Sequence, residues 1–567
     1  MSSLISAVTW VRRGASARIP SKYVLDDQEL ERVSGLARIE LEDARVELQR
    51  AHEAAKLMGR GAEGVEADDQ GEDDDEANWV ELGDNEPIIV EDSEDSDAMD
   101  VDETSNTANT DNLSQYKLDE YDDDVQTDAI GPFSNIKGLT YYKDNSEDPY
   151  ITLKEDDDDN EREDLEILPT DNLLVVAKTE DEISQLEIYI YEESQDNIYV
   201  HHDLMLPAFP LCLEWLDFPP ASTSSNNDPA STGFGNYIAV GTMDPEIEIW
   251  SLDVVESIYP NTMLGRPDLT KAHVPVPSGS GKKKKKKMKS RSIEKGYHVD
   301  AVLGLSWNKV QRNLLASASA DKTVKLWDLS RGPSMDDTDG AIRSFDVHKD
   351  KVQAVQWNEK NPSVLLTGSY DRTVRTFDSR SPDSGVGAFL GSDVEALRWD
   401  PWEEAGFYVA LENGLVLNYD VRNLPSNLET PSPARFTLSA HDGATSALDI
   451  NPHIRGCIVT GGADKLVKIW NVDDSSGKMN VSLVTSRDLG VGKVFSTTFS
   501  PDDPLTVAAG GSKAKLQVWD VGANFGARKA FGTKLKEAGK VLREHEDGGN
   551  GGVIGVESDE EDEDNDD

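Results

Sequence analysis

The stretch -LLASASADKTVKLWD- at Leu314–Asp328 returns four more times in altered form, and that recurrence leaves the chain very few folds to choose from. The returns are -LLTGSYDRTVRTFD- (Leu365–Asp378), -VALENGLVLNYD- (Val409–Asp420), -IVTGGADKLVKIWN- (Ile458–Asn471) and -VAAGGSKAKLQVWD- (Val507–Asp520). The closing aromatics Trp327, Phe377, Tyr419, Trp470 and Trp519 are spaced by 50, 42, 51 and 49 residues. Units that recur at such a period are single supersecondary modules. None can bury both of its faces alone, so several must stack.

Each unit can be rebuilt from local chemistry. A first apolar run, such as Val302–Trp307, Val352–Trp357 or Val494–Phe499, ends in a turn, as at Asn451-Pro452 and Ser500-Pro501, where proline cannot continue a central strand. A small apolar strand follows, then an Asp-Lys or Asp-Arg turn, then alternation such as Thr323, Val324, Lys325, Leu326, Trp327. Three antiparallel strands result, with a fourth in the variable stretch before the next unit. A repeat of roughly 40–45 residues ending in Trp-Asp is the mark of a WD40 β-propeller. Upstream, Leu211–Phe218, Tyr237–Thr242 and Ile247–Asp253 make a sixth unit. Leu173–Lys178, Leu186–Tyr191 and Ile198–His202 make a seventh, with Gly138–Tyr142 or Tyr150–Leu153 as its inner strand. The expectation is an all-β, seven-bladed propeller over residues 136–520. Ile5–Val11, around Trp10, is the terminal strand that completes the last blade.

Polar residues recur with the repeats. His348, Thr367 and Asp371 form one set; His441, Thr460, Asp464 and Trp470 form a fuller one; Ser317, Asp321 and Trp327 form a third. A His, an Asp and a hydroxyl suggest a nucleophilic triad. An active site would not recur once per repeat, so these residues are read as blade-fixing networks. No catalytic, cofactor-binding or metal-binding set is expected.

The formal net charge of −53 over 567 residues is segregated. Residues 61–130 hold 27 carboxylates and one base, Lys117, too charged to bury a core, and residues 557–567 hold nine carboxylates. Both read as disordered acidic segments that either solubilise the chain or screen basic partners, its own lysines included. Against them stand Lys282, Lys283, Lys284, Lys285, Lys286, Lys287, Lys289 and Arg291, inside an insertion at 257–296. Such a run suits nuclear localisation or contact with a phosphate backbone, and without aromatics it would read no sequence. Residues 26–58 carry Leu30, Val33, Ala37, Leu41, Ala44, Leu48, Ala51 and Ala55 along one helical face, for docking on the propeller or in a partner's groove. A short basic helix is expected at 533–546, and a flexible acidic tail at 548–567. The remainder is the N-terminal segment 1–25.

Two dispersed cysteines, Cys212 and Cys457, are too few for a disulfide framework or zinc cluster and suggest a reducing compartment. No apolar run reaches membrane-spanning length. Gly490-Val-Gly-Lys493 lacks the spacing of a phosphate loop.

The periodic tryptophans, the opening -ISAVTWVRRGASARIPSKYVLDDQEL- (Ile5–Leu30), the acidic segment and the lysine tract together resemble the periodic tryptophan protein 1 family. That resemblance implies a non-enzymatic factor of the nucleus and nucleolus. It would act in rRNA processing and large-subunit assembly by joining pre-ribosomal particles through rRNA, ribosomal proteins and other assembly factors. It implies no cofactor, membrane or small-molecule substrate. Two alternatives remain. Phe377-Asp-Ser-Arg380 and Tyr419-Asp-Val-Arg422 place Arg380 and Arg422 where substrate receptors of cullin–RING ubiquitin ligases carry an arginine. The acidic segments would also suit a histone- or chromatin-binding propeller.

Overall fold

The repeats fold as seven four-stranded antiparallel sheets arranged as the blades of one propeller. The computed structural model describes residues 3–23, 165–181, 183–220, 233–267, 292–331, 340–430, 432–474, 479–539 and 552–555. The amphipathic stretch at 26–58, the acidic segments at 61–130 and 557–567, residues 136–164 and the lysine tract lie outside the described residues.

Strands are lettered a to d from the inside of each blade outward. In blade 3 they are Val302–Trp307, Leu314–Ser319, Val324–Asp328 and Arg343–Phe345. In blade 4 they are Val352–Trp357, Val364–Ser369, Thr373–Asp378 and Ser381–Phe389. Blade 5 runs Val394–Trp399, Gly406–Leu411, Leu415–Asp420 and Phe436–Ser439. Blade 6 runs Ala447–Ile450, Cys457–Gly461, Leu466–Asp473 and Asn480–Asp488. Blade 2 is Pro210–Leu216, Tyr237–Thr242, Ile247–Ser251 and Thr262–Leu264.

Closure differs from the sequence expectation. The strand Ser3–Val11 does not complete the last blade. It is strand a of blade 1, paired antiparallel with Asn172–Glu180, which is followed by Ile183–Glu192 and Asn197–Leu206. Blade 7 (Val494–Phe499, Thr506–Gly511, Leu516–Asp520) is completed instead by Val553–Gly555, which lies within the stretch read as a flexible tail. Val553, Ile554 and Gly555 are too short a run to signal a strand by periodicity, and only the open edge of Leu516–Asp520 makes them one. The helix expected at 533–546 is Phe525–Glu537. It is capped by Asn524, whose side chain accepts from the backbone N–H of Gly526 and Ala527, and it ends before Gly539 at φ +70°.

The a strands line the centre and bond around it. Trp307 N–H donates to Glu214, Trp357 N–H to Ser306, Trp399 N–H to Gln356 and Phe499 N–H to Asp449, each to a side chain of the preceding blade. A register shift near the start of strand a recurs at Ile5/Ala7, Pro210/Cys212, Val302/Gly304, Val352/Ala354, Val394/Ala396 and Val494/Ser496. A bulge at one place in six inner strands bends each of them alike.

Between blades the core is apolar. Ile5, Val8 and Trp10 pack with Ala508, Leu516 and Val518 at the seam of blades 7 and 1. Ala527, Phe531 and Leu535 of the helix join the cluster around Trp519 between blades 6 and 7. The b–c turns place a left-handed residue after the aspartate, at Lys322 (φ +74°), Arg372 (φ +66°) and Lys465 (φ +69°), where blade 5 uses Gly414. The turn therefore demands a left-handed backbone at a place where lysine and arginine pay a steric cost.

Candidate interaction surfaces

The histidine sets are built across two turns and one strand. In blade 3 the Trp327 indole N–H donates to Ser317 Oγ (2.8 Å), Ser317 Oγ lies 2.7 Å from His298 Nε2, and His298 Nδ1 lies 2.9 Å from Asp321. Thr323 adds its hydroxyl and its N–H to the same carboxylate. Blade 4 repeats this with His348, Thr367, Asp371 and Thr373, but Phe377 supplies no indole donor. Blade 6 repeats it with His441, Asp464, Thr460 and Trp470. His298 and the two threonines escaped the sequence reading. His298 stands 19 residues before Ser317, the offset of His348 from Thr367, so spacing alone could have found it.

Burial pushes the His298 and His441 imidazoles below their ordinary range, which keeps them neutral. Burial alone would raise Asp321. The hydrogen bonds from His298 and Thr323 outweigh it and hold the carboxylate down at about 2. The hydroxyls of Ser317, Thr367 and Thr460 belong to side chains with 0% exposure, so no substrate can reach them. A neutral relay of donors ending on a buried carboxylate stiffens the b–c turn.

On the opposite, a–b-turn face, asparagines clasp blade to blade. Asn308 donates through Nδ2 to Pro362 O, Asn358 to Glu404 O and Asn451 to Pro504 O, while each Oδ1 accepts from its own turn. At the seam this clasp is replaced by charge. Arg13 N–H donates to Asp502, and Arg13 Nη2 reaches both Asp503 and Glu193 at 2.9 Å. Asn172 Nδ2 also donates to Asp503, at 2.7 Å. Burial and the Glu193 charge push the Asp503 carboxyl up to about 6.

Arg380 and Arg422 sit at matching places after strand c. Each is held by the aspartate two residues earlier through paired bonds, Arg380 to Asp378 at 3.0 and 2.7 Å and Arg422 to Asp420 at 2.9 and 2.6 Å. Their guanidinium groups are mostly exposed, and the structure places them on neighbouring blades.

Concave surfaces lie open among the described residues, and two are lined by the elements above. At the a–b-turn mouth of the centre, Glu214, Gln356, Arg398, Asp449 and Thr498 ring a cavity of about 350 Å3. Between blades 4 and 5 a groove of about 830 Å3 is lined by Lys349, Arg375, Phe389, Leu428 and Pro433. Cys457 is buried and Cys212 half-buried, and desolvation pushes both thiols far up, so neither is poised as a nucleophile. Among the described residues no group of three or more His, Cys, Asp or Glu could hold a metal. No helix of the described residues is long and apolar enough to cross a membrane.

The family model for the WD domain, G-beta repeat, matches residues 292–328, 340–378 and 433–471, which take in strands a to c of blades 3, 4 and 6. Those blades carry the histidine networks. An uncharacterized WD repeat-containing protein of Schizosaccharomyces pombe is 42% identical over 94% of this chain and 92% of its own length. Periodic tryptophan protein 1 of Saccharomyces cerevisiae is 36% identical over 94% of this chain and 90% of its own. The periodic tryptophan protein 1 homolog of Drosophila melanogaster is 28% identical over 74% and 80%. The chain belongs to the periodic tryptophan protein 1 family of WD-repeat proteins.

Proposed function

We propose that this propeller is a non-enzymatic scaffold for assembly of the large ribosomal subunit in the nucleolus, holding rRNA and protein components together. The observation that carries the reading is the match to a periodic tryptophan protein over 94% of the chain, beyond the repeats that all WD propellers share. The geometry supports a scaffold: the groups that mimic a triad are sealed, while exposed surface is offered on both faces and in the groove of blades 4 and 5. The tract Lys282–Lys287 with Lys289 and Arg291 serves as nuclear address and as a secondary, sequence-blind phosphate contact.

The test is affinity purification of the tagged full chain from nuclear extract, followed by crosslinking to RNA and sequencing. Recovery of large-subunit precursor rRNA with ribosomal proteins supports the scaffold. Recovery of a cullin–RING adaptor without rRNA, with binding lost in Arg380→Ala and Arg422→Ala, replaces it with the ligase reading. Recovery of histones without rRNA replaces it with the chromatin reading. Replacing Lys282–Lys287 with serine should move the tagged protein out of the nucleus and leave its melting temperature unchanged.

A further inference from the structure

The face of the b–c turns is electrically divided. On blade 5, Asp393, Glu395 and Glu412 crowd together, and burial with its two acidic neighbours raises the Glu395 carboxyl. On blades 6 and 7 the same face carries Lys465, Lys493, Lys513 and Lys515, all exposed. None of these four has an ion-pair partner among the described residues, whereas the nearby Lys468 is paired with Asp464.

Backbone geometry holds the lysines together. Lys493 N–H donates to Ser512 Oγ, Lys513 N–H to Val491 O, Ser512 N–H to Lys493 O, and Val494 N–H to Gly462 O in the turn that carries Lys465. Gly490 and Gly492, at φ +78° and +75°, fold the connection Asp488–Val494 tightly enough to set Lys493 beside Lys513. Phe495, 38% exposed, extends the crest inward on strand a. Among the described acids of blades 6 and 7 on this face, Asp464 is engaged by His441, Asp488 accepts from Gly490 N–H, and Asp442 lies in the turn after His441.

The last described strand runs toward this crest. Val553 pairs with Trp519 and Gly555 with Gln517, so the chain leaves blade 7 two residues from Lys515. Nine carboxylates follow within Glu557–Asp567. Eleven residues reach roughly 35–40 Å when extended, the width of about seven adjacent strands. A segment tethered so close meets its target at an effective concentration in the millimolar range, ~mM for a short flexible link.

We infer that the acidic segment Glu557–Asp567 occupies the lysine crest of blades 6 and 7, and that any other polyanion must displace it to bind there. The inference does not rest on the ribosomal reading. It needs only the strand that delivers the acids and the lysines that receive them.

Zero-length carbodiimide crosslinking of the full chain, read by mass spectrometry, tests it directly. The expected crosslinks join Glu557–Asp567 to Lys493, Lys513 or Lys515. They should disappear at 1 M salt, because the contacts are screened at a Debye length near 3 Å. A chain lacking residues 557–567 should bind a single-stranded oligouridine RNA several-fold more tightly at low salt. The same deletion in a Lys493→Gln, Lys513→Gln, Lys515→Gln background should change that affinity little. Both variants should melt like the parent. Crosslinks that run instead to Lys282–Lys287, or an RNA affinity indifferent to the deletion, would overturn the inference. Either result would leave the rRNA co-purification test of the scaffold reading untouched.

Discussion

Blades 6 and 7 are neighbours of the same architecture, held by different means. Blade 6 takes all four strands from one continuous stretch, Ala447–Asp488, and carries the complete relay of Trp470, Thr460, His441 and Asp464. Blade 7 must wait for Val553–Gly555, has no histidine relay, and rests against strand a of blade 1, drawn from the other end of the chain. Where Thr460 accepts the Trp470 indole, blade 7 has Ala509, and the Trp519 indole N–H is buried with no partner among the described residues. A blade that folds from local sequence can be stiffened by its own polar network. A blade assembled across the seam draws its hold from apolar packing and the Arg13 ion cluster.

The comparison breaks most severely at strand a of blade 1. Deleting residues 1–11 should abolish cooperative unfolding, since it strips eight strand partners from Leu173–Glu180 and exposes the core of the seam. Trp10→Ala is the milder form. Trp10 is 6% exposed and packs edge-on against Tyr191, and truncation should cost about 3–5 kcal/mol by chemical denaturation. A Trp10→Ala protein as stable as the parent would show that the seam does not depend on this strand.

The next effect lies in the relays. Asp464→Ala should cost about 1–3 kcal/mol because His441 Nδ1 and the Leu466 N–H then lose their acceptor. Asp321→Ala should cost more, since its side chain is 1% exposed against 15% for Asp464. The reverse order would mean that burial does not set the strength of these networks.

A finer contrast separates two tryptophans. Trp470→Phe forfeits a hydrogen bond to buried Thr460, whereas Trp519→Phe forfeits none. The first should therefore be the more destabilising by about 1 kcal/mol. Equal losses would show that the indole bond contributes nothing.

The smallest effect is one of pH. The Asp503 carboxyl is raised to about 6, so its contribution to stability is complete below the unfolded value near 3.8 and is lost as pH rises through 6. Asp321, lowered to about 2, behaves oppositely: its contribution is complete above 3.8 and is lost as pH falls through 2. Going from pH 7 to pH 5 should thus strengthen the seam by on the order of 1 kcal/mol after allowing for solvent screening. Glu193→Gln should flatten that slope and leave the acid-side loss from blade 3 intact.

The repeats made the ring legible from the sequence. Strand alternation, turn chemistry and the aromatic period all act within about fifty residues, so strands a to c of blades 3 to 6 are legible, while strand d, in the variable stretch, is not. The relays of blades 4 and 6 were legible for the same reason, since His348, Thr367 and Asp371 keep fixed offsets. Local pattern could not assign partners to strands far apart in the chain. Ser3–Val11 has the alternation of a strand wherever it pairs, and only the vacant inner edge of Asn172–Glu180 selects blade 1 over blade 7. Val553–Gly555 has too little pattern to be a strand at all until Leu516–Asp520 offers its outer edge. The asparagine clasps and the Arg13 cluster likewise exist only between blades, because their donors and acceptors are 46 to 490 residues apart. Sequence fixed what short-range periodicity and turn stereochemistry can encode. Closure of the ring, and the meeting of the lysine crest with the strand that leads into the acids, follow from contacts that form only once the blades have stacked.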